Sequence, residues 1–358
     1  MRNILLSLMT LIAILFARPN NSHGLDHFKQ LELQVGTERF TGRILANDDR
    51  SCWFLSRDGR LRQVVMSQVT DFTEAPGRFK PHSQIEIRYQ LQAEFGPNFE
   101  VASTTHYLIV ARRGSAKLYA SIFDRIYREF ARSCTSRGFE VAKLEFPLIA
   151  VVFPDQSGFR QYCHDEGVQI QPGLVGYYLP SSNRVALFEQ ADGTELDSTV
   201  IHEAIHQVAF NTGIHSRLAR HPKWVVEGLA TVFEAEGIRT RQDFSTPADR
   251  VNRQRYLWFQ EYTRSRRPKN SLANFIRHDQ RFESSPLDAY SEAWALSFFL
   301  IETHSTEYGK YLKQLIARDP LKEYDADSRQ ADFKHAFGKD LNTIEESFLR
   351  FLSRIDNN

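Results

Sequence analysis

Residues 202–206 read His-Glu-Ala-Ile-His, and residues 224–230 read Trp-Val-Val-Glu-Gly-Leu-Ala, with Glu227 at the centre of the second segment. On a helix, His202 and His206 lie one turn apart on the same face and can bind one metal ion. Glu227 supplies a third ligand from a second helix. Two histidines, one carboxylate and an open fourth position form the ligand set of a hydrolytic zinc centre.

The residues around the first segment predict a helix at the edge of the core. Thr194 or Asp197 can cap its start, and Gly213 can end it in the left-handed conformation. An apolar stripe at helical spacing would face the core and is formed by Ile201, Ala204, Ile205 and Val208. The two histidines and Glu203 flank this stripe. Glu203 would therefore be half-buried, open to a cleft and close enough to a metal-bound water to act as general base.

Each segment has an alternative explanation. The five-residue pattern arises by chance on some charged helices, and Glu227 alone fits a helix N-terminal glutamate stabilised by the helix dipole. However, Glu227 is flanked by apolar residues, where a carboxylate is costly unless it is paired or bound to a metal. The two segments together favour the metal site.

These segments resemble the gluzincin zinc metallopeptidases, which pair His-Glu-x-x-His with a downstream glutamate, often in Glu-Gly-x-Ala. The resemblance extends over roughly residues 99–351. It is strongest to an exported peptidase-like branch, whose strand and turn motifs are matched here by Thr105-His106-Tyr107 and Gly176-Tyr177-Tyr178. A metzincin is excluded, because that class needs a third histidine soon after the second and a methionine turn. The only methionines here are Met1, Met9 and Met66.

The resemblance implies one Zn²⁺ ion bound by His202, His206 and Glu227, with Glu203 as the general base. It implies hydrolysis of peptide bonds in a peptide or protein substrate, more in the manner of an endopeptidase than of an aminopeptidase. The alternative is a catalytically weak or inactive protein that keeps the peptidase fold as a binding or scaffold module. The intact Glu203 favours the enzyme, since a binding protein needs no general base.

Gluzincins usually supply an oxyanion donor from a later helix, and Tyr290 is the first candidate. A packed helix aromatic is an equally good interpretation of Tyr290. His304 is a weaker second choice, whereas we expect His215 and His221 to be rim or loop residues. By the same resemblance, the strand Asn183 to Phe188 is expected to be an edge strand that pairs with an extended substrate. A plain structural strand is the alternative.

The chain departs from the gluzincin pattern at one position. Many gluzincins carry an acid four residues after the third ligand, and this acid orients a metal-bound histidine. Here that residue is Thr231. We expect Glu234 or a backbone carbonyl to take this role, which leaves the strength of catalysis open.

The pattern along the chain predicts an α+β protein in four parts: a signal peptide over 1–24, a small β-barrel module over 25–75, a linker over 76–98 and a zinc metallopeptidase-like domain over 99–358. Short strands separated by turn formers indicate an SH3-like barrel, for which we expect a structural or protein-binding role. A small mixed sheet followed by a helical half is expected for the large domain.

The N-terminal segment predicts export. A short cationic start precedes an apolar run from Ile4 to Ala17, which is shorter than the roughly 20 residues of a membrane span and suits a signal peptide. Cleavage fits after Ala17 or after Gly24. The mature protein is therefore expected to be periplasmic, secreted or at the cell surface, with no stable membrane span. An uncleaved anchor is the minority alternative.

Charge and cysteine content exclude two other kinds of site. A formal net charge of +1 gives no indication of nucleic acid as a partner, and the basic cluster Arg264–Lys269 is interpreted as a solvated loop. Cys52, Cys134 and Cys163 have no metal-ligand spacing. Buried free thiols are favoured over a disulfide between Cys134 and Cys163.

Overall fold

The computed structural model describes residues 29–189, 194–240, 246–338 and 340–355, without the side chains of residues 194–197. The predicted signal peptide and both candidate caps of the histidine helix therefore lie outside what the structure describes. The chain divides into two compact units. One comprises Met1–Leu91 with Pro180–Asn183, and the other Gln92–Leu179 with Arg184–Asn358.

Five antiparallel strands form the sheet of the first unit, in the order β4-β3-β2-β1-β5. They are β1 (Lys29–Val35), β2 (Glu38–Asn47), β3 (Ser51–Ser56), β4 (Leu61–Val65) and β5 (Val69–Arg78). Alternate residues such as Leu31 and Leu33 on β1 and Phe54 on β3 face a small core. Because β5 pairs with β1, it lies at the edge opposite β4, and no described ladder joins the two. The five strands agree with the prediction, but closure into an SH3-like barrel is not shown.

The predicted linker, 76–98, contains regular structure instead. Pro76 lies within β5, where an edge strand tolerates a residue that cannot donate to a neighbouring strand. Helix α1 (Gln84–Phe95) follows. Its start is a reciprocal cap, in which the Ser83 hydroxyl accepts from the Glu86 amide and the Glu86 carboxylate accepts from the Ser83 amide. The sequence analysis overlooked this Ser-x-x-Glu signal and gave weight to proline and glycine alone.

The second unit contains a mixed sheet with the order β6-β7-β8-β10-β9. Its strands are β6 (Phe99–Ser103), β7 (Tyr107–Arg112), β8 (Leu148–Phe153), β9 (Gly176–Leu179) and β10 (Arg184–Phe188). The three central strands run parallel, and both edge strands run antiparallel to their neighbours. The central strands are almost continuously apolar and buried, as expected for strands covered on both faces.

The edge strand differs from the prediction. Residues 183–188 contain β10, which lies second from the edge because β9 pairs along its outer side. Gly176-Tyr177-Tyr178, expected to be a turn, is part of β9 itself. Asn183, with a φ of 60°, reverses the chain between the two strands in the left-handed region that asparagine tolerates. The exposed edge on this side of the sheet is therefore β9.

Helices make up most of the remainder, and an α+β architecture with a helical second half is confirmed. The helices that follow strands of the mixed sheet are α2 (Ala116–Ser136) and α3 (Gln156–Asp165). The helices of the second half are α4 (Thr194–Asn211), α5 (Lys223–Glu234), α6 (Glu236–Thr240), α7 (Arg253–Ser265), α8 (Ser271–Arg277), α9 (Arg281–Ser284), α10 (Pro286–Thr303), α11 (Ser305–Ile316), α12 (Ala326–Phe337) and α13 (Leu341–Ser353). Their apolar faces and those of α2 share one continuous core with the mixed sheet.

A cluster of buried charges joins three of these helices and corrects the interpretation of the basic loop. Arg267 is buried and pairs with Glu292 of α10 at 2.9 Å and with Glu345 of α13 at 2.6 Å. Arg281 makes a second ion pair with Glu292. Only the outer part of the basic cluster behaves as predicted, with the side chain of Arg264 74% exposed. A solvated loop was the wrong description for Arg267, because its partners lie on helices distant in sequence.

Two predictions about the chain as a whole can be compared with the structure. Cys52, Cys134 and Cys163 are all free and buried, as predicted. Burial raises the pKa of Cys52 to about 11, so this thiol is inert near neutral pH. Within the described parts of the chain, no helix is both long enough and apolar enough to cross a membrane.

Candidate metal centre

Helix α4 holds both histidines at the border of the core. Ala204, Ile205 and Val208 are completely buried, so the apolar stripe faces the interior as predicted. His202 and His206 flank this stripe, and their Nε2 atoms lie 3.0 Å apart. Two imidazole nitrogens that face each other at this distance are arranged to share one partner.

Helix α5 brings the carboxylate to the same point. Trp224, Val225 and Leu229 are fully buried and fix this helix against the core. Glu227 then points its Oε2 atom at the histidines, 3.3 Å from Nε2 of His202 and 3.5 Å from Nε2 of His206. One ligand atom from each of the three residues lies within 4.8 Å of the others.

These residues fit a divalent metal ion. Oε2 of Glu227 is buried and has no hydrogen-bond partner, which is unusual for a carboxylate oxygen inside a protein. Burial raises the pKa of Glu227, but the positive character of His206 and His202 outweighs it and holds the pKa below its usual range. A carboxylate and two imidazoles are compatible with Zn²⁺, which binds nitrogen and oxygen ligands in this combination.

A second carboxylate, that of Glu234, holds the ring nitrogen of His202 that faces away from Glu227. Oε1 of Glu234 lies 2.7 Å from Nδ1 of His202, and Oε2 of Glu234 accepts a 2.8 Å hydrogen bond from the amide of Asn252. Thr231 cannot do this, since its hydroxyl donates to the backbone oxygen of Glu227 at 2.6 Å. Glu234 lies seven residues after Glu227, which is two turns along the same face of α5. Of the two expected substitutes for the missing acid, the structure therefore has Glu234.

Tyr290 lies at the metal centre and is also packed. Tyr290 belongs to α10, and the charge of the Glu227 carboxylate acts on its hydroxyl. Burial is the largest cause of the raised pKa of Tyr290, and the negative charges of Glu227 and Glu203 raise it further. Its ring makes an edge contact with Phe282 at 5.4 Å. The two interpretations of Tyr290 are therefore compatible with each other, and the hydroxyl stays protonated over the physiological pH range.

Glu203 is half-buried, as expected for a group at the mouth of a site. It precedes the buried Ala204 on α4 and follows His202. Its charge contributes to the raised pKa of Tyr290, behind burial and Glu227. Its charge also counts among the causes that raise the pKa of His202, behind burial, which opposes them, and the hydrogen bonds of Glu227 and Glu234.

His304, the second choice for an oxyanion donor, is not brought to the site. It follows the last residue of α10, fourteen residues beyond Tyr290, which corresponds to about 21 Å along a helix. There it contacts Phe299 and Thr303. A helix can present only one of its two ends to the metal centre, and Tyr290 is at the nearer end.

His215 is more than a rim residue. Only 2% of it is exposed, and neither ring nitrogen has a hydrogen-bond partner. The centroid of its ring lies 5.1 Å from that of His221 and 5.2 Å from that of Phe210. Phe210 lies one turn beyond His206 on α4. Burial lowers the pKa of His221 to about 4 and that of His215 well below its usual range. Both rings are therefore neutral, and they form part of the wall beside the metal ligands.

Two further residues near the site escaped the sequence analysis. Asn252 caps α7 and holds Glu234, and Arg255 lies over the ring of Tyr290 with its Cζ 5.6 Å from the centroid. The only available signal was the Asn at the start of a helical pattern, which predicts a cap but no contact with Glu234. Such contacts depend on how α7 packs against α5 and α10.

A family model and a solved structure are similar to this chain. Residues 197–322, which include both ligand segments and Tyr290, match a family model described as a protein of unknown function (DUF1570). The catalytic module of the metalloprotease ZmpA from Clostridium perfringens is similar in structure, with a TM-score of 0.33 and 10% sequence identity over 86% of this chain. The chain spans 62% of the length of that protein chain. No curated protein matches the sequence. The structural similarity is weak, and the proposal below is supported by the geometry of the site.

Proposed function

We propose that this protein is a zinc-dependent peptidase of the gluzincin type. The observation that carries this proposal is the convergence of His202, His206 and Glu227 on one point, with a buried ligand oxygen that has no other partner. Zn²⁺ bound there would activate a water molecule and polarise the carbonyl of a peptide bond. The substrate would be a peptide or protein.

Three residues that are not metal ligands would have further roles in the reaction. Glu203, which is not a ligand, would accept the proton of the attacking water and pass it to the leaving amine. Tyr290 keeps its proton and can donate a hydrogen bond to the negative charge that develops on the carbonyl oxygen. Glu234 fixes the ring of His202, so that Nε2 faces the other ligands.

The exposed edge of β9 supports binding of an extended substrate. Its inner side pairs with β10, and β9 is the outermost described strand on that side of the sheet, where a peptide would add as a further strand. Such pairing binds peptides largely independently of their sequence. Tyr178 of β9 packs against Phe210 of α4 with ring centroids 5.6 Å apart, which holds the strand beside the histidine helix.

Two substitutions of similar size test the proposed roles. Glu203→Gln should retain near-stoichiometric zinc but lower peptide hydrolysis by about 10²–10⁴-fold, because only the general base is lost. Glu227→Gln should lose zinc, since a ligand charge is removed. Zinc content by elemental analysis and cleavage of a broad peptide library measure the two effects.

Two results would contradict this proposal in different ways. If the wild-type protein binds no zinc, the metal site and the peptidase are both wrong. If it binds zinc and cleaves no peptide in the library, the alternative of a binding or scaffold protein with an intact metal site is supported.

We also propose that the protein is exported and that its first unit binds a protein partner. Export is supported by the apolar run between Ile4 and Ala17 after a cationic start. N-terminal sequencing of the mature protein tests it, with a new terminus after Ala17 or Gly24 expected. Cross-linking of the full chain in its native compartment tests for the partner, and cross-links confined to the second unit would contradict it.

A further inference from the structure

Arg255 is a half-buried cation beside the proposed active site. It lies in the first turn of α7, where its backbone amide donates to the side chain of Asn252. Its guanidinium faces the ring of Tyr290, with Cζ 5.6 Å from the centroid. Burial and, next in size, the charge of Glu227 raise the pKa of Tyr290, so Tyr290 lies within electrostatic reach of this candidate ligand. The cation is thus separated from the metal ligands by one aromatic side chain.

The arginines of this unit whose side chains are at most 8% exposed in their ion pairs have carboxylate partners. These pairs are Arg184 with Glu94, Arg239 with Glu129, Arg250 with Glu302 and Arg267 with Glu292. Among the residues that the structure describes, Arg255 makes no ion pair, and its Nε is buried without a hydrogen-bond partner. A buried, unpaired donor on a charged group is costly. A ligand that brings its own negative charge would remove this cost.

The position of Arg255 suits a group on the substrate. An extended peptide advances about 3.3–3.6 Å per residue, so one or two residues span the width of the Tyr290 side chain. A substrate held at Glu227 would therefore bring its neighbouring residues to Arg255. A guanidinium binds a carboxylate through two parallel hydrogen bonds, which gives both strength and orientation.

We propose that Arg255 binds a carboxylate of the substrate within about two residues of the cleaved bond. This inference rests on the proposed peptidase function and names its substrate class: peptides with a negative charge at that position. The carboxylate comes either from the C-terminus of a short peptide or from an Asp or Glu side chain. The first source makes the protein a carboxypeptidase, and the second makes it an endopeptidase selective for acidic sites.

Four peptides distinguish these sources. They share one cleavable sequence and carry Glu or Gln next to the cleaved bond, each with a free or an amidated C-terminus. With the full-length, zinc-loaded protein, kcat/KM should be higher for the charged member of one pair. In Arg255→Gln this preference should fall about 10-fold or more, as expected for loss of a charge-assisted hydrogen bond.

Arg253→Gln is the matched control. Arg253 lies on the same helix, and its Cζ is also 5.6 Å from an aromatic centroid, that of Tyr256. This substitution removes the same charge and a similar ring contact, but at a ring other than that of Tyr290. The preference for the charged peptide should be unchanged in Arg253→Gln.

Binding measurements separate this proposal from the peptidase proposal. Calorimetric titration of Glu203→Gln, with and without Arg255→Gln, with the same peptides reports affinity without turnover. If no peptide is cleaved but binding needs the carboxylate and Arg255, the peptidase is wrong and the carboxylate site is supported. The carboxylate site is wrong if Arg255→Gln weakens all four peptides equally, if the wild type shows no preference, or if no peptide binds.

Discussion

The side-chain amide of Asn252 connects the start of α7 to the metal ligands. Its oxygen accepts a hydrogen bond from the Arg255 amide and so caps the helix, while its nitrogen donates to Glu234 and to the backbone oxygen of Thr231. Glu234 passes this restraint on to His202. One residue outside the ligand set therefore orients a ligand through a path of two hydrogen bonds.

Asn252→Asp should weaken zinc binding about 10-fold or more, although α7 remains capped. Aspartate is as good a cap as asparagine, but it presents a negative oxygen to Glu234 in place of a donor. Glu234 is then repelled and no longer holds the ring of His202. Competition with a chromophoric chelator measures the affinity, and circular dichroism reports the helices.

Asn342→Asp is the control, because it makes the same chemical change at an exposed position on α13, remote from α5 in the sequence. Its zinc affinity should equal that of the wild type. Wild-type affinity in Asn252→Asp would mean that Glu234 orients His202 without help from α7.

At the scale of single residues, the site divides into a part predictable from sequence and a part that is not. His202, His206 and Glu227 were predicted because helical spacing alone brings the histidines together and because a carboxylate in an apolar segment needs a partner. His215 and Arg255 were missed in these roles. Their burial and their neighbours depend on tertiary packing, which leaves no periodic trace in the sequence.

Helices α5 and α10 approach each other most closely at Gly228, which has no side chain. A Cβ added to Gly228 would overlap the hydroxyl of Ser297 and the backbone carbonyl of Ala293. The glycine after the third ligand is therefore required by packing, since it lets α10 approach α5. The same approach places Tyr290, on α10, beside Glu227.

Gly228→Ala should lower the free energy of unfolding by about 1–3 kcal/mol, because the two helix backbones must separate. This loss would exceed the gain of up to about 1 kcal/mol that alanine brings to a helix interior. Chemical denaturation measures the change. Zinc content should also fall, since Glu227 precedes the substituted residue.

Gly309→Ala provides the comparison on another helix, α11. The added methyl group would lie 3.1 Å from an edge atom of the Phe139 ring, which can shift slightly, whereas a backbone cannot. Its effect on unfolding should be clearly smaller. Equal stabilities for Gly228→Ala and the wild type would contradict the close approach of α5 and α10.

Secondary structure was predictable where the apolar residues are regularly spaced. The prediction was wrong where strand pairing determines the position of a segment in the sheet. The helical half and the central strands follow from periodicity. The edge of the mixed sheet does not, because β9 and β10 are both short and apolar, and only their order in the sheet separates them. The end of β5 within the predicted linker was missed for a related reason, since Pro76 marks an edge strand as readily as a loop.

The whole chain contains two units of unequal complexity. The first is a single sheet with a small core, and the second has one large core that joins the mixed sheet to the helices. The open sheet and the buried cluster around Glu292 were not predicted from the sequence. In that cluster, Arg267 pairs with Glu292 and Glu345, which follow it by 25 and 78 positions in the sequence. No local sequence pattern indicates such distant partners.

Because the hydrogen-bonded path from His202 through Glu234 to Asn252 holds a candidate ligand, zinc bound at the proposed site would make the stability of the second unit depend on free metal concentration. Ions that bind only the folded state stabilise it by mass action, by about 2.7 kcal/mol at 100 times the dissociation constant. Thermal unfolding in excess zinc should therefore occur at a clearly higher Tm than in excess chelator, and Glu227→Gln should show no such difference. Identical transitions for the wild type under both conditions would show that the ligands are held in place by packing alone. If the two transitions differ, the chelator acts as a mild denaturant of this protein, and the length of time it stays folded outside a cell depends on the supply of zinc.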